Sequence, residues 1–148
     1  AAIRYPRGTA YFPEEKSTIN FIEIGKGTFL REGKDVAVIA VGPLVYEALK
    51  AADIVKDKGV NLTVFNARFI KPLDEAAIKE IASKHDMIFT LEENTISGGL
   101  GSAVLELLSK LGQNKKTKLL GIPDVFVEHG SPSILKELYG TEKRKAIG

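Results

Sequence analysis

The chain has 148 residues, of which 44% are hydrophobic and 27% are charged, and 21 basic side chains nearly balance 19 acidic ones. This size and composition predict a single folded domain rather than a disordered chain, and a formal net charge of +2 argues against a dedicated nucleic-acid-binding protein. The sequence contains no cysteine, which excludes disulfides, thiolate nucleophiles and cysteine-bound metals.

Residues 1–20 are expected to form an N-terminal arm or interdomain linker, because proline and glycine interrupt them repeatedly. The most informative part is residues 4–8, where Arg4 and Arg7 flank a Tyr-Pro pair. Proline stiffens the backbone and favours an extended residue before it. Two planar guanidinium groups on a stiff arm suit a phosphate or a carboxylate, although a solvated basic linker fits the same local sequence.

Strands and helices are expected to alternate from residue 21 onward. A short strand is predicted around residues 27–31, among scattered apolar side chains that include Phe21 and Ile24. Apolar, β-favouring runs predict four more strands, at residues 36–41, 61–65, 87–91 and 118–122. Helical periodicity predicts four helices, at residues 44–58, from 74, at 100–111 and from 131. This alternation indicates a mainly parallel sheet covered by helices on both faces.

Individual residues mark the predicted helix ends and inner faces. Gly59 is expected to end the first helix, and Asp74 to cap the second, whose inner face carries Ala77, Ile78, Ile81 and Ala82. Ser131 is expected to open the last helix, with inward-facing Ile134, Leu135 and Leu138.

Ligands of such sheets bind at loops that follow the carboxyl ends of the strands, here residues 42–43, 66–74, 92–101 and 123–131. The glycine-rich residues 97–102 open a helix and could present backbone N–H groups to an anion. Their spacing matches no nucleotide fingerprint, and Glu92 and Glu93 oppose a phosphate, so tight packing is the favoured interpretation. Arg68 and Lys71 could serve an anionic ligand or an acidic partner, or could pair with Glu92 or Glu93.

The two histidines do not have the spacing of a metal site. His85 is expected to contact the end of a helix, whereas His129, in the loop after the last strand, is a secondary candidate for acid–base chemistry. The longest apolar run, residues 36–41, is too short for a membrane span, and we expect no signal peptide, because the first residues of the sequence lack an apolar h-region. We expect a cytoplasmic protein without a membrane partner. The start without methionine suggests a piece of a longer polypeptide, and a processed or trimmed terminus would look the same.

Several motifs in a fixed order resemble the C-terminal domain of the transketolase family, most closely its branch of 1-deoxy-D-xylulose-5-phosphate synthases. The resemblance covers nearly the whole chain, from Ile3 to about Gly140, and departs from the family pattern in the short, basic residues 141–148. The motifs that carry it are residues 4–8, 24–27, 66–74, 92–94 with 98–104, and 121–124 with 128–130.

The resemblance implies an enzyme that joins pyruvate, after decarboxylation, to glyceraldehyde 3-phosphate, for isoprenoid and thiamine biosynthesis. It implies thiamine diphosphate and Mg²⁺ in the complete enzyme, held by N-terminal and central domains. The Gly-Asp-Gly motif that binds the diphosphate is absent here, so the isolated chain is expected to bind neither cofactor and to be inactive. The implied partners are those two domains and a second subunit in a homodimer, which this domain is expected to support. Arg7 matches the arginine that binds the substrate phosphate in this family, whereas Arg4 has no such support.

Pattern and resemblance together predict a three-layer αβα domain at residues 21–148, after the arm of residues 1–20. Its five-stranded mixed sheet would have four parallel strands and an antiparallel first strand. The alternatives are the same domain from transketolase, from a two-subunit version of it, or from the β subunit of a 2-oxoacid dehydrogenase. An alternative of another class is a stand-alone regulatory or ligand-binding module.

Overall fold

Strands and helices alternate along the part of the chain that the computed structural model describes, which is residues 2, 3, 5, 21–131, 134, 135, 138 and 139. The elements within it are β1 (Thr28–Arg31), β2 (Val36–Ala40), α1 (Leu44–Lys56), β3 (Leu62–Asn66), α2 (Glu75–Lys84), β4 (Met87–Thr95), α3 (Leu100–Lys110) and β5 (Lys116–Ile122). None of these helices is long and apolar enough to cross a bilayer.

The five strands form one mixed sheet in the order β1-β3-β2-β4-β5. Strands β3, β2, β4 and β5 run parallel to one another. Strand β1 is antiparallel to β3, and its first residue, Thr28, lies opposite Asn66 at the end of β3. The predicted mixed sheet with an antiparallel first strand is therefore confirmed.

Two hydrophobic cores lie on opposite faces of the sheet and make the three layers. Alternate residues of the central strand β2 supply both cores, which explains its continuous apolar sequence. Ala37 and Ile39 pack with α2 and α3, whereas Val38 and Ala40 pack with α1. The side chains on both faces of β2 are therefore buried, one set under α2 and α3 and the other under α1.

The predicted boundaries of the first three helices agree closely with the structure. After α1, the N–H of Gly59 donates to the carbonyl of Lys56 and the N–H of Val60 to that of Val55, which is the pattern of a Schellman motif. Gly59 adopts a φ of 81° there. The predicted inner face of α2 is confirmed, because its buried residues are Ala77, Ile78, Ile81 and Ala82.

His85 follows α2 and is almost completely buried, with 3% exposure. Its Nδ1 lies 3.0 Å from the carbonyl oxygen of Ile81, which confirms the predicted contact with the helix end. Its Nε2 lies 3.0 Å from Thr63 Oγ1 and 3.1 Å from the carbonyl oxygen of Gly33. His85 therefore connects α2, β3 and the turn before β2, at the amino edge of the sheet where the parallel strands begin.

The predicted end of the fourth strand is wrong. Strand β4 extends to Thr95, so that Glu92 and Glu93 belong to the strand and not to the loop after it. The extension is possible because β5 continues alongside, with Thr95 opposite Ile122. The sequence did not predict this extension, because two consecutive charged residues follow Leu91 and interrupt the apolar pattern of the strand.

The apolar side chains predicted to face inward near the C-terminus are exposed at two described positions, by 56% for Ile134 and 65% for Leu138. Phe21 and Ile24, which we associated with the first strand, precede β1 and are also exposed. Periodicity identifies which face of a segment is apolar, but it does not supply the surface against which that face packs.

Candidate functional site

The candidate site is the carboxyl edge of the sheet, where the parallel strands end and where ligands bind in folds of this class. Residues 67–74 lie there after β3, and residues 123–131 follow β5. Because β1 is antiparallel to β3, the residues before β1 reach the same edge. We call residues 21–27 the lead-in segment. It connects the arm of residues 1–20 to the domain at this edge.

One buried carboxylate, that of Asp74, holds the lead-in segment against the domain. Asp74 is 7% exposed. Its Oδ1 accepts a hydrogen bond of 3.1 Å from the N–H of Ala77 and so caps α2. Its Oδ2 accepts a hydrogen bond of 3.1 Å from the N–H of Gly27, and Lys26 Nζ lies 3.7 Å from Oδ1. The start of α2 and the end of the lead-in segment therefore depend on the same side chain.

Two glycines allow the lead-in segment to lie directly on the loop after β3. Gly25 has a φ of 75°, and a Cβ at this position would come within 2.9 Å of Pro72 Cγ. A Cβ at Gly27 would overlap the ring of Phe65 and lie 2.7 Å from the carbonyl oxygen of Asn66. Close backbone approach thus explains the glycine motif of residues 24–27.

The loop after β3 presents the two cations that the sequence placed at this edge. The N–H of Arg68 donates to Asn66 Oδ1 at 3.1 Å, and the N–H of Ala67 donates to the carbonyl of Ala40 at 2.9 Å. These bonds fix the backbone of Arg68 at a φ of 55°, which residues other than glycine rarely adopt. Arg68 is half-buried and Lys71 is exposed. The Lys71-Pro72 peptide bond is cis.

Glu92 occupies the glycine-rich N-terminus of α3. The side chain is fully buried, and its Oε2 and Oε1 accept hydrogen bonds of 2.9 Å from the N–H groups of Leu100 and Gly101. A Cβ at Gly99 would overlap this carboxylate. An anion site at this helix start is excluded, because the protein's own carboxylate already fills it.

This arrangement decides one alternative that the sequence had left open and part of a second. The glycine-rich start of α3 packs on the sheet, since a Cβ at Gly101 would lie 2.7 Å from Leu119 Cδ2 and 2.8 Å from Thr90 Oγ1. A salt bridge from Arg68 or Lys71 to Glu92 is wrong, because both Glu92 oxygens accept main-chain hydrogen bonds in a buried position. The alternative pairing with Glu93 stays a prediction.

The predicted site residues are only partly within the described chain. Arg4 and Arg7 lie outside the described residues. His129 is exposed in the segment after β5, whereas the other histidine, His85, is in the interior near the opposite edge. In the described ranges, no group of three or more aspartate, glutamate and histidine side chains could hold a metal ion.

Sequence reasoning missed two features of this edge. It identified Asp74 as a helix cap but not as the anchor of the lead-in segment, because a contact across 47 residues leaves no local pattern. It also placed Glu92 in a loop. A glutamate shortly before a glycine-rich helix start was the available clue, because a helix N-terminus attracts a carboxylate.

Replacing Asp74 should separate its two roles. Asp74→Ala removes both acceptors and should lower the free energy of unfolding by about 1.5–3 kcal/mol. Asp74→Asn retains one acceptor oxygen and should lower the free energy of unfolding by a smaller amount. Amide hydrogen exchange should show lost protection at both Gly27 and Ala77 in the alanine variant, but at only one of them in the asparagine variant. Unchanged protection at Gly27 in both variants would contradict the anchor.

Replacing Glu92 should destabilise the start of α3. Glu92→Gln leaves one acceptor for two buried N–H donors, so chemical denaturation should show a loss of about 1.5–3 kcal/mol. Glu106→Gln is the matched control, because Glu106 is exposed on the same helix; its effect should stay within about 0.5 kcal/mol. Equal stability of the two variants would show that the Glu92 carboxylate does not hold the helix start.

A family model described as the C-terminal domain of transketolase matches residues 25–145. Among curated relatives, 1-deoxy-D-xylulose-5-phosphate synthase of Dictyoglomus turgidum is 42% identical over 144 residues, which are 97% of this chain and 23% of the relative. The enzyme of the same name from Desulforudis audaxviator is 46% identical over 140 residues, 94% of this chain and 22% of the relative. The chain therefore spans less than a quarter of the length of these relatives.

Solved structures agree with this relationship. A structure described as a split gene transketolase, inactive β4 tetramer, superposes with a TM-score of 0.83 at 36% identity, and the match covers 91% of this chain and 44% of that one. Transketolase from Campylobacter jejuni superposes with a TM-score of 0.58 at 20% identity, over 83% of this chain and 18% of that one, which supports the fold alone. Since the family model matches most of the chain, the protein belongs to the transketolase C-terminal domain family.

Proposed function

We propose that these 148 residues are the C-terminal domain of a 1-deoxy-D-xylulose-5-phosphate synthase, which joins pyruvate to glyceraldehyde 3-phosphate with release of CO₂. In this proposal residues 1–20 are the interdomain linker and residues 21–148 are the domain. The observation that carries the proposal is that relatives of this name are 42% and 46% identical over at least 94% of the chain. The identity to the split gene transketolase is lower, 36%.

The domain's contribution to the reaction is to bind the phosphate of the aldehyde substrate through Arg7. Support comes from the anchored lead-in segment, because Asp74 fixes Gly27 at the carboxyl edge and the arm that bears Arg7 continues from there. A guanidinium group binds phosphate through two parallel charge-assisted hydrogen bonds, which orient the substrate as well as hold it. Arg4 and His129 are secondary candidates for the same pocket.

Thiamine diphosphate and Mg²⁺ are assigned to the rest of the polypeptide. The described residues of this chain do not fit the diphosphate, because Glu92 occupies the glycine-rich helix start that would otherwise receive an anion. The described part also contains no cluster of three or more aspartate, glutamate and histidine side chains that could hold a metal ion. In this proposal the partners of this chain are the N-terminal and central domains, in a cytoplasmic homodimer, and the isolated chain is inactive.

Turnover by the complete polypeptide that contains this chain tests the proposed activity. With thiamine diphosphate and Mg²⁺ added, it should convert pyruvate and glyceraldehyde 3-phosphate into 1-deoxy-D-xylulose 5-phosphate and CO₂. A two-carbon transfer from a ketose phosphate in place of that reaction would identify a transketolase. The 148-residue chain alone should be inactive, and its turnover would contradict the assignment of the cofactors to other domains.

Replacing Arg7 in the complete enzyme should weaken binding of the phosphorylated substrate selectively. Arg7→Ala removes charge-assisted hydrogen bonds worth about 1.5–3 kcal/mol, so the KM for glyceraldehyde 3-phosphate should rise about tenfold to a hundredfold. The KM for pyruvate, which has no phosphate, should change little.

Arg7→Lys should restore part of the affinity, because it keeps the charge but not the planar pair of donors. Lys34→Ala is the matched control, since Lys34 is an exposed cation before β2, at the amino edge. Equal increases in both KM values for Arg7→Ala would remove Arg7 from the phosphate site.

A further inference from the structure

Arg68 lies at the tip of a tight three-residue turn that follows β3. The N–H of Phe69 donates to the carbonyl of Ala67 at 2.5 Å and closes the turn. On its other side the turn is held by the hydrogen bond from the N–H of Arg68 to Asn66 Oδ1, and by that from the N–H of Ala67 to the carbonyl of Ala40 in β2. These hydrogen bonds together keep the backbone of Arg68 at a φ of 55°.

Arg68 is the only residue other than glycine that has a positive φ in the described part of the chain. The other positive-φ positions there are Gly25, Gly42, Gly59, Gly98 and Gly112. Glycine adopts such a conformation without steric cost, whereas a residue with a Cβ does not. Strained residues of this kind cluster at ligand-binding sites, where the surrounding structure holds a side chain that function requires. The turn therefore indicates that an arginine side chain is needed at this position.

The guanidinium group of Arg68 has donors available for a ligand. The hydrogen bond that Arg68 makes within the described residues comes from its backbone N–H, and the residue is half-buried. The other described arginine, Arg31, instead binds Asp53 through its side chain. Partial burial limits the positions that the Arg68 guanidinium can reach, and a planar fork of donors in a restricted position suits an oxyanion.

The acidic side chains of the carboxyl edge leave Arg68 available to an anion. The carboxylates of Asp74 and Glu92 are occupied by main-chain N–H groups, and Glu23 in the lead-in segment is exposed. Glu93 is the acid that competes with a ligand for Arg68. It lies on β4, which is two strand spacings or about 10 Å from β3 across β2, so a test must distinguish a ligand from this carboxylate.

The lead-in segment lies along the loop that carries Arg68. A Cβ at Gly27 would lie 2.7 Å from the carbonyl oxygen of Asn66, and one at Gly25 would lie 2.9 Å from Pro72 Cγ. Arg68 belongs to the loop between these two contacts. The N-terminal arm, which continues from the lead-in segment, therefore leaves the domain beside Arg68.

We infer that Arg68 binds a phosphate group at the carboxyl edge of the sheet. A phosphate monoester carries about 1.5 to 2 negative charges at neutral pH and offers three acceptor oxygens, which is more than one bidentate guanidinium satisfies. Arg68 and Arg7 of the arm bind such a group together. The inference rests on the proposed function only for the source of the phosphate, which is then the aldehyde substrate.

Arg68→Gly tests the site, because it removes the guanidinium at a position whose φ suits glycine. Calorimetric titration of the complete polypeptide with inorganic phosphate should show an affinity at least about tenfold lower in this variant. The midpoint of thermal unfolding should change little, because relief of the positive φ offsets the greater flexibility of glycine in the unfolded chain. Arg68→Lys should retain part of the affinity, since it keeps the charge without the planar fork.

Lys71→Gln is the matched control, because Lys71 is an exposed cation in the same loop. It should change the phosphate affinity by less than about threefold, since salt screens an exposed charge. Equal losses in Lys71→Gln and Arg68→Gly would overturn the inference, because they would show a diffuse positive field in place of a site. Unchanged affinity in Arg68→Gly, or no phosphate binding by the unaltered polypeptide, would overturn it as well.

Glu93→Gln separates a ligand from the competing carboxylate. A phosphate-binding Arg68 predicts that Glu93→Gln leaves the effect of Arg68→Gly on phosphate affinity in place. If Arg68→Gly instead lowered the stability of the polypeptide, and Glu93→Gln lowered it by the same amount, the guanidinium would belong to a salt bridge with Glu93. That result would overturn the inference.

Substrate kinetics identify the source of the phosphate separately. If the aldehyde substrate supplies it, Arg68→Gly should raise the KM for glyceraldehyde 3-phosphate about tenfold or more and leave the KM for pyruvate unchanged. Lower phosphate affinity in a polypeptide without synthase activity would keep the site and reject the proposed reaction. Synthase activity with unchanged phosphate affinity in Arg68→Gly would reject the site and leave the reaction in place.

Discussion

The geometry of the carboxyl edge depends on the two hydrogen bonds accepted by the buried carboxylate of Asp74. One bond fixes the start of α2, and the other fixes Gly27 at the end of the lead-in segment. An Asp74 without both partners would leave a desolvated oxygen unsatisfied, which is costly in the interior. The two bonds therefore favour a single arrangement in which the N-terminal arm joins the domain at the edge where ligands bind.

A second buried carboxylate, that of Glu92, decides where this domain can bind an anion. A helix N-terminus is the usual place for a phosphate in an α/β protein, and the glycines before α3 resemble such a site in the sequence. Glu92 fills that place with a carboxylate from β4. The described domain thus stabilises its own framework with its acidic residues, and the proposed phosphate contact falls to an arginine on the arm.

Most of the framework could be predicted from the sequence because its causes are local. The apolar run of β2, the cap at Asp74 and the glycine at residue 59 each report on a few neighbouring residues, and all three predictions are confirmed. The strand order, the hydrogen bond from Gly27 to Asp74 and the burial of Glu92 could not be predicted, because each joins segments that are brought together only by folding. The exposure of Ile134 and Leu138 could not be predicted either, since apolar periodicity does not show which surface a helix face packs against.

The most direct test of the central claim is a structure of the complete polypeptide with glyceraldehyde 3-phosphate or inorganic phosphate bound. We predict that the phosphate lies at the carboxyl edge of this domain, with a guanidinium nitrogen of Arg7 about 2.7–2.9 Å from a phosphate oxygen. A phosphate held entirely by other domains, with Arg7 turned away from it, would contradict the account.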